Sequence, residues 1–457
     1  MNKGYKESSS FRDPSGFLFW ENGKLLRQIN SGYKEDYDHL VRSGLYEKLV
    51  TKELLIPHKE LAEHTGISEG CYKVIEPQLI DFISYAYEWS FNQLKDAALV
   101  TLRIQNLALK HGMILKDASA YNIQFYKGKP ILIDTLSFEK YQENSPWIAY
   151  RQFVQHFLAP LALMSYCDIR LNSMLKNHLD GIPLEMASRL LPWHTKLNLG
   201  LILHIHTHSL AQKKYQASSA ALVKPELSRK RMEALIKSLW QLIHKLKVRE
   251  KDSEWVDYYT FTNYTPSSFD QKKTIIHGVI QDIKPSFVWD IGANTGEFTQ
   301  LVSRLGIPCI AFDIDHLAVD RHYVQLKKHN LTNTLPLVLD ITNPSPAIGW
   351  ANNERMNLEM RKKPDLIMAL ALIHHLAISN NIPFEQIASY LGRLSDKLII
   401  EFVPKEDSQV QLLLTSRKDV FPDYSKDSFL RCFKEVFHKI DALEIDDSTR
   451  TIFFMQK

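Results

Sequence analysis

Asp290-Ile-Gly-Ala-Asn-Thr-Gly296-Glu-Phe stands directly after an apolar run, Phe287-Val-Trp-Asp-Ile, and before a helix-like stretch. Glycines in such a loop let the backbone turn sharply and approach a ligand closely. The spacing is DxGxNxG. It is neither the GxGxxG of a dinucleotide loop nor a P-loop ending in GK[ST], which argues against both. Two further acids follow in step. Asp313 ends a second apolar run, seventeen residues after Gly296, and Asp340 ends a third. A carboxylate at the second strand end can accept both hydroxyls of a ribose, and one at the third can meet an adenine amino group. Asp290, Gly292, Ala293, Asn294, Gly296, Asp313 and Asp340 therefore form a candidate pocket for a nucleoside-bearing cofactor.

Other residues could do chemistry. His374-His375 closes a fourth apolar run, Ala369-Leu-Ala-Leu-Ile. A histidine there can remove a proton, because its ordinary pKa lies near operating pH, or it can simply shape the pocket. Glu401 ends a fifth run, placed either to bind an acceptor or to neutralise a basic neighbour. Earlier in the chain, Leu115-Lys-Asp117-Ala-Ser-Ala-Tyr-Asn122 precedes Ile131-Leu-Ile-Asp134. Oxygen ligands such as Asn122 and Asp134 suit a hard ion that bridges phosphates. His204-Ile-His206-Thr-His208 can be read as a metal cluster or as hydrogen-bonded packing. No acid lies close by in sequence to complete a ligand set, and no metal site is assigned.

The elements that must position these groups read as alternating strands and helices. Strands are expected at Phe287–Ile291, Pro308–Asp313, Leu335–Asp340, Asp365–Leu370 and Lys397–Val403, with late strands near Val436–Leu443 and Thr451–Met455. That rhythm predicts a mostly parallel sheet with helices on both faces. The earlier half mixes short strands and helices. Asn22-Gly23 marks a hairpin between Phe17–Trp20 and Leu25–Ile29. Asp36–Lys52 reads as one helix, Tyr72–Ile75 and Leu79–Tyr87 as strands, and Phe91–His111 as a helix closed by Gly112. A second hairpin is expected around Lys127-Gly128-Lys129, and Trp147 to about Leu210 reads as mostly helical.

The chain of 457 residues is 45% apolar and 24% charged, an ordinary globular composition that fits two or three domains. Charge is uneven: residues 211–251 hold eleven Lys or Arg against three Glu. Met232, Leu235, Ile236, Leu239, Trp240, Ile243 and Leu246 are expected on one face of a helix there, so the basic residues form its other face. The boundaries read as 1–210, a basic helical linker 211–254, and 255–457. Four dispersed cysteines, a polar start and no apolar stretch near the ~18 residues of a membrane span point to a cytoplasmic protein. The overall balance does not suggest a general nucleic-acid binder.

On these motifs the third region resembles a class I S-adenosylmethionine-dependent methyltransferase, with DIGANTGEF, AFDID and LPLVLDI as its first three motifs. The resemblance implies a Rossmann-like sheet. Gly292, Ala293 and Gly296 would line the cofactor's amino-acid portion, Asp290 would shape the loop, Asp313 would hold the ribose and Asp340 would sit near the adenine. His374 and His375 would face the transferred methyl. Trp255–Tyr264 and Lys272-Lys273 resemble the aromatic lead-in of these enzymes.

The first region resembles a divergent protein-kinase-like fold. That implies a base at Asp117, magnesium ligands at Asn122 and Asp134, and possible use of ATP. It lacks a VAIK-type lysine, for which Arg27 is a weak substitute, and its Gly-rich loop is reduced to Arg12-Asp-Pro-Ser-Gly16. The whole chain resembles bacterial methyltransferases of the host-specificity nodulation type, through IDTLSFE (133–139), PWIAYRQFVQHFLAPLAL (146–163), DGIPL (180–184) and LHIHTH (203–208). That resemblance implies transfer to an oxygen or nitrogen of a glycan, glycolipid or small molecule, with the first region selecting the acceptor. The alternatives are a bifunctional kinase–methyltransferase, or methylation of RNA, a peptide or a natural product.

Overall fold

The computed structural model describes residues 4–207, 227–248, 264–415 and 419–457. It is a mixed α/β protein of two compact units. The first comprises Met1–Arg249 together with Ala347–Met356, and the second comprises Glu250–Pro346 and Asn357–Lys457.

The first unit opens with an antiparallel sheet of five strands: β1 (Tyr5–Lys6), β2 (Gly16–Glu21), β3 (Lys24–Asn30), β4 (His58–Glu60) and β5 (Cys71–Pro77), ordered β1-β2-β3-β5-β4. Asn22 and Gly23, with φ of 50° and 76°, make the tight turn between β2 and β3. Between β3 and β4 the structure places two helices, α1 (Lys34–Arg42) and α2 (Leu45–Thr51), where one was expected. Gly44 breaks them apart at φ 75°, a conformation glycine adopts without strain. The expected strand Leu79–Tyr87 is absent. The backbone N–H of Ser84 bonds Gln124 Oε1 and that of Tyr85 bonds Glu88, so side chains take the amides that a strand would pair.

Ser90 and Gln93 form a capping box that starts α3 (Phe91–Lys110). Beyond α3 come β6 (Met113–Leu115), the hairpin β7 (Ile123–Tyr126) and β8 (Lys129–Leu132), and β9 (Phe138–Lys140), which pairs with β6. The basic helix Arg229–Lys245 buries Met232, Ile236, Leu239 and Ile243. It packs on α3 and belongs to this unit rather than standing apart as a linker. Lys95 Nζ of α3 donates to the carbonyls of His244 and Leu246, at 2.8 Å each, and so caps its end. The segment 347–356, remote in sequence, completes the unit: Arg12 pairs with Glu354 at 2.5 Å, and the Arg355 guanidinium lies 3.9 Å from the Tyr121 ring centre.

The second unit is one seven-stranded sheet: β10 (Val288–Ile291), β11 (Cys309–Asp313), β12 (Thr334–Val338), β13 (Leu366–Ala369), β14 (Lys397–Phe402), β15 (Lys439–Glu444) and β16 (Thr451–Gln456). The order is β12-β11-β10-β13-β14-β16-β15, with β16 antiparallel to both neighbours and the first five strands parallel. Every residue of β10, β11 and β13 is buried, which is why these strands read as unbroken apolar runs. Ile276 and Ile280 of the helix Pro266–Ile283 pack with Val288, Met368, Ile399 and Ile452 in the core. The strand order reverses between β10 and β13. In open sheets of this kind ligands bind at the carboxyl ends of the strands beside that point.

Candidate functional site

At that reversal β10 runs into the glycine loop. The N–H groups of Gly292 and Ala293 donate to Phe312 O at 2.8 and 3.0 Å, which ties the loop to β11. Gly292, Asn294 and Gly296 all have positive φ, at 79°, 50° and 87°. At Gly296 a side chain is also excluded by space. A Cβ would stand 2.1 Å from His322 Nε2, so Gly296 sits against the helix His316–His329 while Gly292, Ala293 and Asn294 line the cavity. His322 is buried, both ring nitrogens lack a hydrogen-bond partner, and burial pushes its pKa down to about 3. It packs under the loop as a neutral ring.

The cavity measures about 340 Å³. Asp290, Asp313 and Asp340 all line it. Asp313 Oδ2 accepts from Asn294 N at 2.7 Å and Oδ1 from Asp315 N at 2.8 Å, so this acid also fastens the loop. Asp290 Oδ2 accepts from Thr299 Oγ1 at 2.5 Å. Burial raises Asp290 to about 7, with the Thr299 hydrogen bond opposing, and raises Asp313 to about 6. Burial disfavours the ionised form of both carboxylates, and a cation beside them would favour it. Asp340 Oδ1 accepts from Thr342 N and Oγ1, at 2.8 and 2.6 Å. Tyr264, Phe269 and Phe298 supply aromatic walls.

The two histidines separate. His375 lines the cavity, whereas His374 is buried behind it with ring centres 4.2 Å apart. Burial lowers both, His375 to about 4. Glu401 does not reach the cavity. It is 0% exposed and accepts from Lys272 Nζ at 2.6 Å and from Tyr264 OH, with Arg450 3.7 Å away. Burial raises its pKa, but Lys272 and Arg450 together outweigh that and hold it below the ordinary carboxylate range. Arg450 in turn grips Asp407 through two hydrogen bonds of 2.8 and 3.1 Å. Glu401 is therefore the neutralising centre of a buried ionic network, not a group free to bind an acceptor. Lys272, the network's contribution to the cavity wall, lacks any sequence signal beyond its place in the lead-in. Ala371, also on the wall, has φ 50°, a strained setting for a residue with a Cβ.

The acids of the first unit converge differently. Asn122 Nδ2 donates to Ser137 Oγ at 3.1 Å, and Ser137 Oγ to Asp134 Oδ2 at 2.7 Å. Asp134 Oδ1 lies 2.6 Å from Arg27 of β3, which also faces Asp13 at 3.6 Å. Asp117 Oδ1 accepts from Ser119 N at 2.9 Å, and burial raises its pKa. A cation of the chain itself, Arg27, thus pairs with this acid cluster. His204 lies between Tyr150 OH (2.8 Å) and Ser238 Oγ (3.2 Å), and His206 between Ser188 Oγ (2.8 Å) and Thr195 Oγ1 (3.1 Å). His208 and residues 255–263 of the aromatic lead-in lie outside the described residues. Among the described residues no three His, Cys, Asp or Glu side chains are grouped to hold a metal, and no helix is long and apolar enough to cross a membrane.

Sheet order, glycine loop and three strand-end acids define an α/β protein with a cavity at its topological switch point. No family profile matches the sequence. Nodulation protein NoeA of Rhizobium meliloti (strain 1021) is 33% identical over 465 residues, which cover 98% of this chain and 96% of that protein. The chain belongs to the NoeA family of nodulation proteins.

Among solved structures, monomeric WbdD is similar at 14% identity and TM-score 0.31, over 44% of this chain and 43% of its own. Magnesium protoporphyrin IX methyltransferase (ChlM) from Synechocystis PCC 6803 with bound SAH is similar at 14% identity and TM-score 0.30, over 42% and 84%. The methyltransferase domain of bacterial CtHen1 gives 13% and 0.31, over 42% and 100%. The chain spans less than half the length of WbdD, and agreement this loose assigns neither fold nor activity.

Proposed function

We propose that the protein is an S-adenosylmethionine-dependent methyltransferase whose second unit holds the cofactor and transfers its methyl to an oxygen or nitrogen of a glycan or glycolipid. One observation carries this reading: the glycine loop and Asp290, Asp313 and Asp340 meet in one cavity at the carboxyl edge of the sheet. The residues fit the cofactor. Asp313 and Asp340 offer acceptor oxygens for ribose hydroxyls and an adenine amino group, and Gly292 leaves room for backbone approach. Tyr264, Phe269 and Phe298 present aromatic faces, which attract a sulfonium.

When bound, the cofactor supplies an electrophilic methyl on a cationic sulfur. The chain's part is to hold an acceptor in line with it, the positioning that governs a direct displacement. His375, neutral above about pH 4, is suited to accept a hydrogen bond from the acceptor's O–H or N–H and so to orient it. Its low basicity makes it a weak proton store. His374 serves to support it. Asp290 sets the loop through Thr299.

The first unit is proposed to be a divergent kinase-like lobe that selects the acceptor. Its strand order, the helices between β3 and β4, and the convergence of Asp117, Asn122 and Asp134 support that reading. The Arg27–Asp134 pair favours recognition over phosphoryl transfer. The test is incubation of the full chain with methyl-labelled cofactor and a cell extract split into glycolipid, protein, RNA and small-molecule fractions. Label is expected in the glycolipid or glycan fraction and is lost with Asp313→Ala. Label in another fraction overturns the acceptor class. Failure of the purified chain to bind the cofactor in calorimetry overturns the enzyme.

A further inference from the structure

Five large apolar side chains left exposed fall within fourteen consecutive residues of the first unit: Leu190, Trp193, Leu197, Leu199 and Leu203. Trp193 and Leu197 are each 74% exposed and Leu199 is 81%. A cluster of that density on a water-soluble surface marks a binding face.

The segment is not a loose loop. His204, held by Tyr150 and Ser238, and His206, held by Ser188 and Thr195, brace it from within. Asn198 Oδ1 accepts from the N–H groups of Gly200 and Leu201 at 3.0 and 3.2 Å. The short helix Leu199–Leu201 packs both on the turn Trp193–Leu197 and on the basic helix Arg229–Lys245. His204, His206 and Thr195 thus point inward while Trp193, Leu197 and Leu199 point outward.

Charge identifies what this face meets. Ser238 and Leu242 are the positions of the basic helix that touch the segment, through His204 and Gly200. Arg231 and Lys245 lie seven residues before and after Ser238, on nearly the same face. Both are exposed, as is Lys196 within the segment, and none of the three has a carboxylate partner among the described residues. A tryptophan and leucines that seek the headgroup layer, bordered by unpaired cations, match an anionic bilayer surface. Nucleic acid would use the cations but not the leucines. A second copy would set the cations against themselves.

We infer that the face formed by residues 190–203 and the adjoining edge of the basic helix docks the protein on an anionic lipid surface, with Trp193, Leu197 and Leu199 entering the headgroup layer. This docking does not depend on which molecule is methylated.

Flotation of the full chain with phosphatidylcholine vesicles, with and without about one third phosphatidylglycerol, tests it. The protein is expected to float with the anionic vesicles alone, and less as salt rises. The triple variant Trp193→Ser, Leu197→Ser, Leu199→Ser should stay in solution. Its thermal midpoint should match the parent, because all three side chains are exposed. Arg231→Ala with Lys245→Ala should weaken binding about 25-fold, roughly fivefold for each cation lost. Lys127→Ala with Lys129→Ala, on the β7–β8 turn, should change nothing. The proposal is overturned by absence of binding to either vesicle, or by unchanged binding of the triple variant. It is also overturned if the triple substitution instead abolishes a dimer seen by light scattering, or binding to RNA.

Discussion

Two clusters of aspartates, one in each unit, make an instructive pair. In the first unit Asp134 and Asp13 are met by Arg27, and the chain supplies its own counter-charge. In the second unit Asp290 and Asp313 are buried at the edge of a cavity, and their pKa values rise to about 7 and 6. Lys272, the nearest cation, is already committed to Glu401. Burial raises Asp117 of the first cluster as well, so what separates the two is the counter-charge: Arg27 pairs with the first cluster, and the acids of the second line a cavity. On the function proposed above, the same residue type in two settings would separate an acceptor-selecting lobe from a cofactor site.

The hardest blow to this contrast is at Gly296. Gly296→Ala drives a Cβ into His322 at a φ of 87°, and cofactor affinity should fall by more than about 100-fold in calorimetry. Retained affinity would mean that the loop does not hold the cofactor. On the other side, Arg27→Ala strands Asp134 in a largely buried setting. The thermal or urea midpoint should report about 3 kcal/mol of lost stability, with cofactor affinity unchanged. Asp313→Ala should weaken cofactor binding about 100-fold, since a charge-assisted acceptor is lost, whereas Asp134→Ala should leave it alone.

The smallest effect sharpens the contrast by pH. Asp313 has a raised folded-state pKa, so its neutral form dominates below about 6. If a cationic cofactor needs the carboxylate, affinity falls up to about tenfold per unit as pH drops below 6. Asp315, beside Asp313, and Lys272, beside Asp290, are the neighbouring charges. Calorimetry between pH 5 and 8 measures the slope, and a flat profile would show that the charge of Asp313 is not used. Sign matters for folding stability too. With Asp290 raised to about 7, the stability it contributes in its neutral form is lost as pH rises through 7, so Asp290→Asn should be the more stable chain at pH 8.

The parallel strands were legible because burial on both faces demands continuous apolar runs, and the acids at the ends of the first three mark where each run meets the cavity. Leu79–Tyr87 shows the limit of that signal. It carries the apolar and aromatic residues of a strand, but its amides are satisfied by Gln124 and Glu88, partners that local pattern does not reveal. The break at Gly44 was written in the chain, yet the apolar spacing on either side concealed it. Site residues at strand ends were readable for the same reason as the strands. Glu401 was readable as a position and not as a role, because Lys272, Arg450 and Tyr264 reach it from the far ends of the unit.

Segment 347–356 has a consequence for inheritance. The chain leaves the second unit after Pro346, contributes Glu354 and Arg355 to the first, and returns at Asn357. A single crossover between the units, as in ordinary gene fusion, would deliver a first half without its last ten residues and leave Arg12 and Tyr121 without their partners. The halves are therefore not interchangeable cassettes. A graft of the first unit must carry residues 347–356 with it.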